Sequence, residues 1–567
     1  MLILQFVIGG VLNNKLKQSI SKNKNLDYDI AIEKVKFNLF SMTLILKDIT
    51  IIPTDTLLAD LKSKSPKYSQ AYKLTIQSVR IRNIALFDYL FDKAINVGGI
   101  IISDAEVYSY KSINEPKIIH TTEIVKKPKP FKLDSIRLKK INGVNINIVD
   151  IKNFSFVTIN LLNNDTTFAA KKLEINTTGI KLVKNKGLNS TFKLKLNNAK
   201  INLKNETINL PGGKYLLSFD SFVFDIDSKK LVVDKFKIKP KYSQSSMVSF
   251  SKFNKEVYDC EIKSIEIQSF NPKDIIEKQS IIIGNVLVDS MILDIFKDKR
   301  LPFDTLKRPQ LPQILLTNMK QDLNIDSILI TNSNLVYSER HKSTTELMKV
   351  TLGNLNIKIA NVTSILDSIV RGDLLTIHLN AKLQNTIPMG VNIYMPLGSI
   401  SDTFSFNGWL GAGNMKLFNN ILLPAIGIKF NGGELDGVSF TAAANSQYSI
   451  GKLTMLYHDL DGVVVRKDME QTNKFISWAA NVAMIRNNPI PNKEKRTTPM
   501  YFDRVMYKGM GNFLWKTLQS GITATIIPTM DNKVKKQVDI KQGTDKKTIR
   551  KREREEKHKN KKKNNKN

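Results

Sequence analysis

An eight-residue pattern, apolar-x-apolar-x-x-apolar-x-apolar, returns throughout this chain and constrains its fold more than any other feature. It is plainest at Leu323, Ile325, Ile328 and Ile330, around the central pair Asp326-Ser327. An Asn332-Ser333-Asn334 cluster then leads into a second alternating run, Leu335 and Tyr337, which predicts a strand, a turn and a returning strand. The template also fits Ile30/Ile32/Val35/Phe37, Leu74/Ile76/Val79/Ile81, Phe131/Leu133/Ile136/Leu138, Phe168/Ala170/Leu173/Ile175 and Leu217/Phe219/Phe222/Phe224. It fits again at Leu231/Val233/Phe236/Ile238, Cys260/Ile262/Ile265/Ile267, Ile281/Ile283/Val286/Val288 and Val350/Leu352/Leu355/Ile357.

Side chains three apart in a regular strand face opposite ways, so the two apolar pairs share a face only if the centre absorbs one extra residue. A β-bulge does this and bends the strand. The centres are almost always polar or small, as in Asp134-Ser135, Asp220-Ser221, Lys263-Ser264, Gly284-Asn285 and Gly353-Asn354. Chance matches are the competing explanation in a chain rich in Ile and Leu, and the shared character of the centres argues against chance throughout.

No Gly/Pro/Ser linker divides the first 460 residues, which predicts one elongated body. The expected organisation is a short apolar membrane-anchor segment at 1–24, a β-rich repeat body at 25–466, a helical aromatic-rich segment at 467–530 and a disordered basic tail at 531–567. Lys and Arg number 86 against 52 Asp and Glu, a net charge of +34. From Lys533 onward, 16 basic face 5 acidic residues, leaving +23 spread over the rest without an arginine-rich stripe. Lysines alternating with Ile and Leu, as in 192-FKLKLNNAKINLKN-205, mark the solvated face of half-buried strands, so no specific nucleic-acid partner is expected.

The run Leu2 to Leu12 is shorter than the ~20 residues that span a bilayer. It is expected to be the end of a signal anchor; a signal-like segment and a helix tucked against the body are the alternatives. Phe87, Leu90, Phe91 and Ala94 predict a short amphipathic helix. Turn signals at Asn142-Gly143, Asn163-Asn164-Asp165, Pro211-Gly212-Gly213 and Asp227-Ser228 punctuate a succession of strands. Gly408, Gly411 and Gly413 fit turns and bulges rather than a phosphate loop, and 451-GKLTMLYHDLDGVVV-465 predicts a further strand pair. The segments 473–488 and 504–524 predict two helices that cap the sheet or lie on a membrane.

Chemistry is sparse. The five histidines are scattered without metal-ligand spacing, and Cys260 is the only cysteine. No nucleophile elbow, phosphate loop or kinase motif is present, so neither catalysis, a cofactor nor a metal is expected.

The order of features resembles the AsmA-like proteins of double-membraned bacteria. The resemblance is carried by the apolar N-terminus, the bulged repeats, 328-ILITNSNLVYSE-339, 408-GWLGAGNMKLFNNILLPAIGIKFNGGELDGVSF-440, 451-GKLTMLYHDL-460 and the aromatic helices near the C-terminus. It implies a mainly β fold, an elongated, bent antiparallel sheet forming an apolar groove, with a few short helices. It also implies a periplasmic body anchored in the inner membrane, membrane lipids and outer-membrane components as partners, and a role in holding or moving lipids. The short anchor and the basic tail depart from it. The residues expected to line the groove are Leu217, Phe219, Phe222, Phe224, Ile262, Ile265, Ile267, Val286, Val288, Ile325, Ile328 and Ile330. The rival expectation is a structural or adhesive β protein with a closed core.

Overall fold

The computed structural model describes residues 27–63, 70–85, 88, 93–111, 143–184, 192–210, 212–272, 274–275, 280–341, 346–398, 402–464 and 484–544. The chain is mainly β, and its sheet is open rather than closed on itself. It packs as two units: residues 1–242 with 261–283, and residues 243–260 with 284–567.

The first unit holds β1 (Tyr28–Asn38), β2 (Thr43–Pro53), β3 (Ala71–Ile84), β4 (Ala94–Lys111) and β5 (Gly143–Asn160). They are followed by β6 (Asp165–Lys184), β7 (Phe192–Asn209), β8 (Tyr215–Asp225) and β9 (Lys230–Pro240). Each pairs with the next, all antiparallel except β4 and β5. That parallel pair corrects the expectation of a purely antiparallel sheet. Parallel neighbours need a long crossover, and the stretch between Lys111 and Gly143 is long enough to supply one. Helix α1 (Asp55–Lys62) starts at Thr54, whose hydroxyl accepts from Leu57 N–H at 3.4 Å, and buries Leu57 and Leu61 with Ala71.

The repeat centres explain how these strands stay apolar on one face. Asp48, Asp104, Asn153, Lys172, Asn205 and Lys235 each stand second in such a centre, and all are left-handed, with φ between 49° and 60°. Register confirms the bulge where two strands are compared: Ile151 pairs with Ile175 and Phe154 with Leu173, then Phe156 with Ala170. Three residues of β5 thus span two of β6, and the next step reverses the excess. The left-handed conformation costs most L-residues roughly 1–2 kcal/mol, and Asn and Asp tolerate it best, which accounts for the four Asn and Asp among the six. Phe219 and Phe222, three apart in β8, have ring centroids 6.1 Å apart. Neither Gln77-Ser78 in β3 nor Asp220-Ser221 in β8 contains a left-handed residue itself.

Strands β10 (Glu256–Ile267) and β11 (Ser280–Asp298) each give residues to both units. The second unit continues with β12 (Asp322–Arg340), β13 (Leu347–Thr363), β14 (Leu374–Leu383), β15 (Ile387–Pro396) and β16 (Phe404–Leu410). After them come β17 (Gly413–Asn414), β18 (Ile428–Ala444), β19 (Tyr448–Val464) and β20 (Thr497–Asp503). Between and after the strands lie α2 (Gln244–Ser249), α3 (Pro312–Thr317), α4 (Leu366–Arg371), α5 (Asn419–Ile426), α6 (Met510–Ile526) and α7 (Pro528–Gln542).

Two expected turns are bulges inside continuous strands. Residues 322–340 form β12 alone and 448–464 form β19 alone, because Asn332 (φ 52°) and Asp459 (φ 53°) shift the register without reversing the chain. In β12 and β13, Ile330 faces Ile357, Ser333 faces Leu355 and Leu335 faces Leu352, so the bulges fall at Thr331-Asn332 and Gly353-Asn354. The centres expected at Gly284-Asn285 and Asp326-Ser327 hold no left-handed residue; Ser290 and Asn332, further along each strand, do.

The second unit has a filled core. Leu375, Ile393, Met395, Phe404, Phe406, Phe430, Leu435, Leu453, Met455 and Tyr457 pack with Phe513 and Ile526 of α6. Gly521 lets α6 approach closely, since a Cβ there would stand 2.6 Å from Met500 Cγ. Short hydroxyl contacts hold it down: Ser449 to Thr517 at 2.5 Å and Thr498 to Thr525 at 2.8 Å. Of the expected C-terminal helical pair, the member at 504–524 is present as α6, starting at Met510. Helix α7 runs to Gln542, correcting the expectation of disorder from Asp531, because Val534 is buried with Tyr501 and Ala524 while Asp531 meets Arg496 at 3.3 Å and Lys535 at 2.9 Å. The helix expected at 473–488 lies mostly outside the described residues, and 484–488 is not helical. The N-terminal apolar run, residues Phe87, Leu90 and Phe91 of the expected short helix and the repeat at 131–138 also lie outside them, while Ala94, the last residue expected in that helix, instead opens β4. Among the described residues no helix is long and apolar enough to cross a membrane.

Candidate functional site

Directly paired residues of neighbouring strands point to the same face of a sheet. Following those pairs across the first unit gives an unbroken apolar row: Val35, Leu46, Val79, Ile102, Ile151, Ile175, Ile201, Phe224 and Leu231. Eight strand spacings of about 4.8 Å make this row roughly 38 Å long. Phe224 is buried, and its ring meets Phe270 at 5.5 Å. The other eight are partly exposed.

A second line, Ile30, Ile51, Leu74, Val107, Phe156 and Ala170, crosses β1 to β6 on the far side of the bulges. The buried leucines of α1 pack with Ala71 rather than over the long row. The apolar core that α6 fills lies entirely in the second unit.

One acid interrupts the pattern. Glu206 occupies the template position between Leu203 and Ile208, is only 5% exposed, and pairs with Phe219 across the ladder. Its Oε2 accepts from Lys171 N–H at 3.1 Å, a donor that the bulge at Lys172 takes out of regular pairing.

The centres also bond sideways. Ser221 Oγ donates to Asp234 at 2.6 Å, and Ser264 Oγ reaches the other oxygen of Asp234 at 3.4 Å. On the polar side the centres of β2 to β6 line a shallow concavity of about 530 Å³. It includes Asp48, Gln77, Asp104, Asn153 and Lys172, with Asn153 donating to Asp104 at 3.0 Å. No group of His, Cys, Asp and Glu able to hold a metal ion occurs among the described residues.

The expected groove residues divide between the units. Leu217, Phe219, Phe222 and Phe224 sit together on β8, with Leu217 beside Ile208 and Ile238, and Phe222 beside Leu203 and Val233. Ile262, Ile265 and Ile267 follow on β10 in the same unit, Ile262 being buried. Val286 and Val288, with Ile325, Ile328 and Ile330, belong to the second unit, where Ile328 pairs with Ile359 and Ile330 with Ile357. Bonds from Ser327 to Asn285 at 2.7 Å and from Thr331 to Asp289 at 3.3 Å set β11 and β12 in register.

Sequence reasoning missed most of the long row, Leu46, Ile102, Ile151 and Ile201 among them. The usable signal was the same alternation read through each left-handed centre. A scan against models of known protein families finds no match for this chain, and a search of curated proteins finds none either.

Proposed function

We propose that this is a non-enzymatic, membrane-associated protein whose apolar sheet face binds the acyl chains of lipids and holds or moves them between membranes. The observation that carries this reading is the row from Val35 to Leu231: nine apolar residues on one face, eight of them partly open to solvent. Covering roughly 30 Å² on each of those eight contributes about 6 kcal/mol at 25 cal/mol per Å², before the costs of association. A polar ligand gains nothing from such a face. The sequence resemblance to AsmA-like proteins supports the same reading, and with it an inner-membrane anchor, a periplasmic body and contact with outer-membrane components.

The filled core of the second unit favours a different role for that part, a rigid support built like an ordinary β protein. The test is extraction of the gently purified protein followed by mass spectrometry. Co-purifying acyl lipid is the expected result; a lipid-free, monodisperse protein that takes up no lipid from vesicles contradicts the proposal.

A further inference from the structure

One part of the second unit gathers more positive charge than its carboxylates balance. Lys297 lies near the C-terminal end of β11 and Lys299 just beyond it, Lys508 precedes α6, and Lys516 lies on the second turn of α6. Glu256 pairs with Lys297 at 2.5 Å. Glu339, 6% exposed, pairs with Lys299 and lies 3.2 Å from His341.

Lys508 and Lys516 form no ion pair with a carboxylate among the described residues. Lys516 Nζ donates to the Gln519 amide oxygen at 2.7 Å, and Lys508 Nζ stands 4.5 Å from the centre of the Phe303 ring. Lys297 Nζ lies 5.6 Å from the centre of that same ring, so two ammonium groups share one phenyl, which itself packs on Tyr507 at 5.8 Å. Burial holds Lys508 and Lys516 below the usual lysine range, and repulsion from Lys299 lowers both further. All four lysines still keep part of their surface in solvent.

Lys297 and Lys508 thus meet at one ring, and Lys299 and Lys516 lie close enough to repel Lys508 or be repelled by it. Two carboxylates oppose the four charges in a partly desolvated setting. An aromatic ring offsets a nearby cation by only about 0.5–2 kcal/mol, less than the several kcal/mol that desolvating an ion costs. The two surplus charges match a phosphomonoester dianion, whose three terminal oxygens can accept from several lysines at once. We propose that Lys297, Lys299, Lys508 and Lys516 form a binding site for a phosphate group around Phe303. The site lies in the second unit and does not depend on the apolar row.

The phosphate can belong to a free phosphomonoester or to a lipid headgroup, and the experiment separates the two. Titration calorimetry and thermal melting of the full chain, at constant ionic strength, compare inorganic phosphate with short-chain dihexanoyl phosphatidic acid. The proposal expects saturable binding and a phosphate-induced rise in Tm. It expects both to weaken at least tenfold in Lys508→Gln/Lys516→Gln and to return in Lys508→Arg/Lys516→Arg. Without phosphate, the glutamine variant should melt no lower than the parent, because the charges removed repelled their neighbours. Tenfold tighter binding of the phosphatidic acid supports the site as a headgroup site, and equal affinity supports it as a site for a free phosphate group. Absence of saturable binding by either probe overturns the proposal, as does binding undiminished in the glutamine variant. A glutamine variant, double or Lys516→Gln alone, that melts well below the parent gives the lysines a structural role and overturns it too.

Discussion

The Glu206 carboxylate accepts a hydrogen bond from Lys171 N–H at 3.1 Å, beside the left-handed Lys172. An acid at an apolar template position is therefore spent on a backbone donor that the bulge releases. Glu206→Leu restores the apolar pattern yet leaves that donor without its partner in a partly buried setting, which costs about 1 kcal/mol. Glu206→Gln keeps an acceptor and is expected to cost less. Urea unfolding of the two variants checks the order, and a leucine variant as stable as the parent would remove Glu206 from this role.

The same bulge gives a backbone prediction. Lys172 is exposed and holds φ at 60°, a conformation that glycine adopts without the steric cost that a Cβ imposes. Lys172→Gly is expected to stabilise the first unit by roughly 0.5–1 kcal/mol, although glycine weakens ordinary strand positions. Lys172→Val, a good strand former, is expected to destabilise by about 1 kcal/mol or more. Denaturant midpoints decide it; the opposite order would mean that the left-handed centre is not what shapes the strand.

These centres also show what the sequence made legible. Repeats such as Phe168/Ala170/Leu173/Ile175 gave the strand, its two apolar pairs and the bulge between them, because the pattern records a local backbone event. Whether a polar cluster reverses the chain is decided elsewhere. Asn332 sits in a turn-like Asn332-Ser333-Asn334 run, yet β12 continues because β13 pairs on both sides of it. The parallel pairing of β4 with β5 depends on the length of the connection between them and not on the alternation within either strand. The tail of the helical segment was hidden for another reason: α7 is polar overall, and its inward-packing apolar residues are only Met530, Val534 and Val538, four apart. As for the site, Phe219 and Phe222 were readable from β8 alone, but a row across nine strands needs the register of every pair.

Acid should unfold the second unit through Glu339. Burial alone would raise its pKa, but the His341 ring 3.2 Å away, hydrogen bonds from Lys299 and Tyr337 and the Lys299 charge outweigh that and hold it at about 2. A carboxyl depressed in the folded state contributes stability above its unfolded pKa of ~4.3, and that stability is lost as the pH falls toward 2. The contribution is on the order of 3 kcal/mol. Between pH 4.5 and 2 the parent should therefore lose more stability than Glu339→Gln, as measured by urea unfolding at each pH. Parallel losses in the two proteins would mean that other carboxylates govern acid unfolding.

The proposed lipid binding requires one face of the first unit, and not the other, to meet acyl chains. Ile151 belongs to the apolar row, and its neighbour Asp150 points to the opposite face. The direct measurement places a photoreactive benzophenone amino acid at Ile151, Ile102 or Asp150, irradiates the protein with phospholipid vesicles, and identifies adducts by mass spectrometry. Acyl adducts at Ile151 and Ile102 with none at Asp150 are the predicted result. Equal labelling at all three positions, or none at Ile151 and Ile102, would contradict the account.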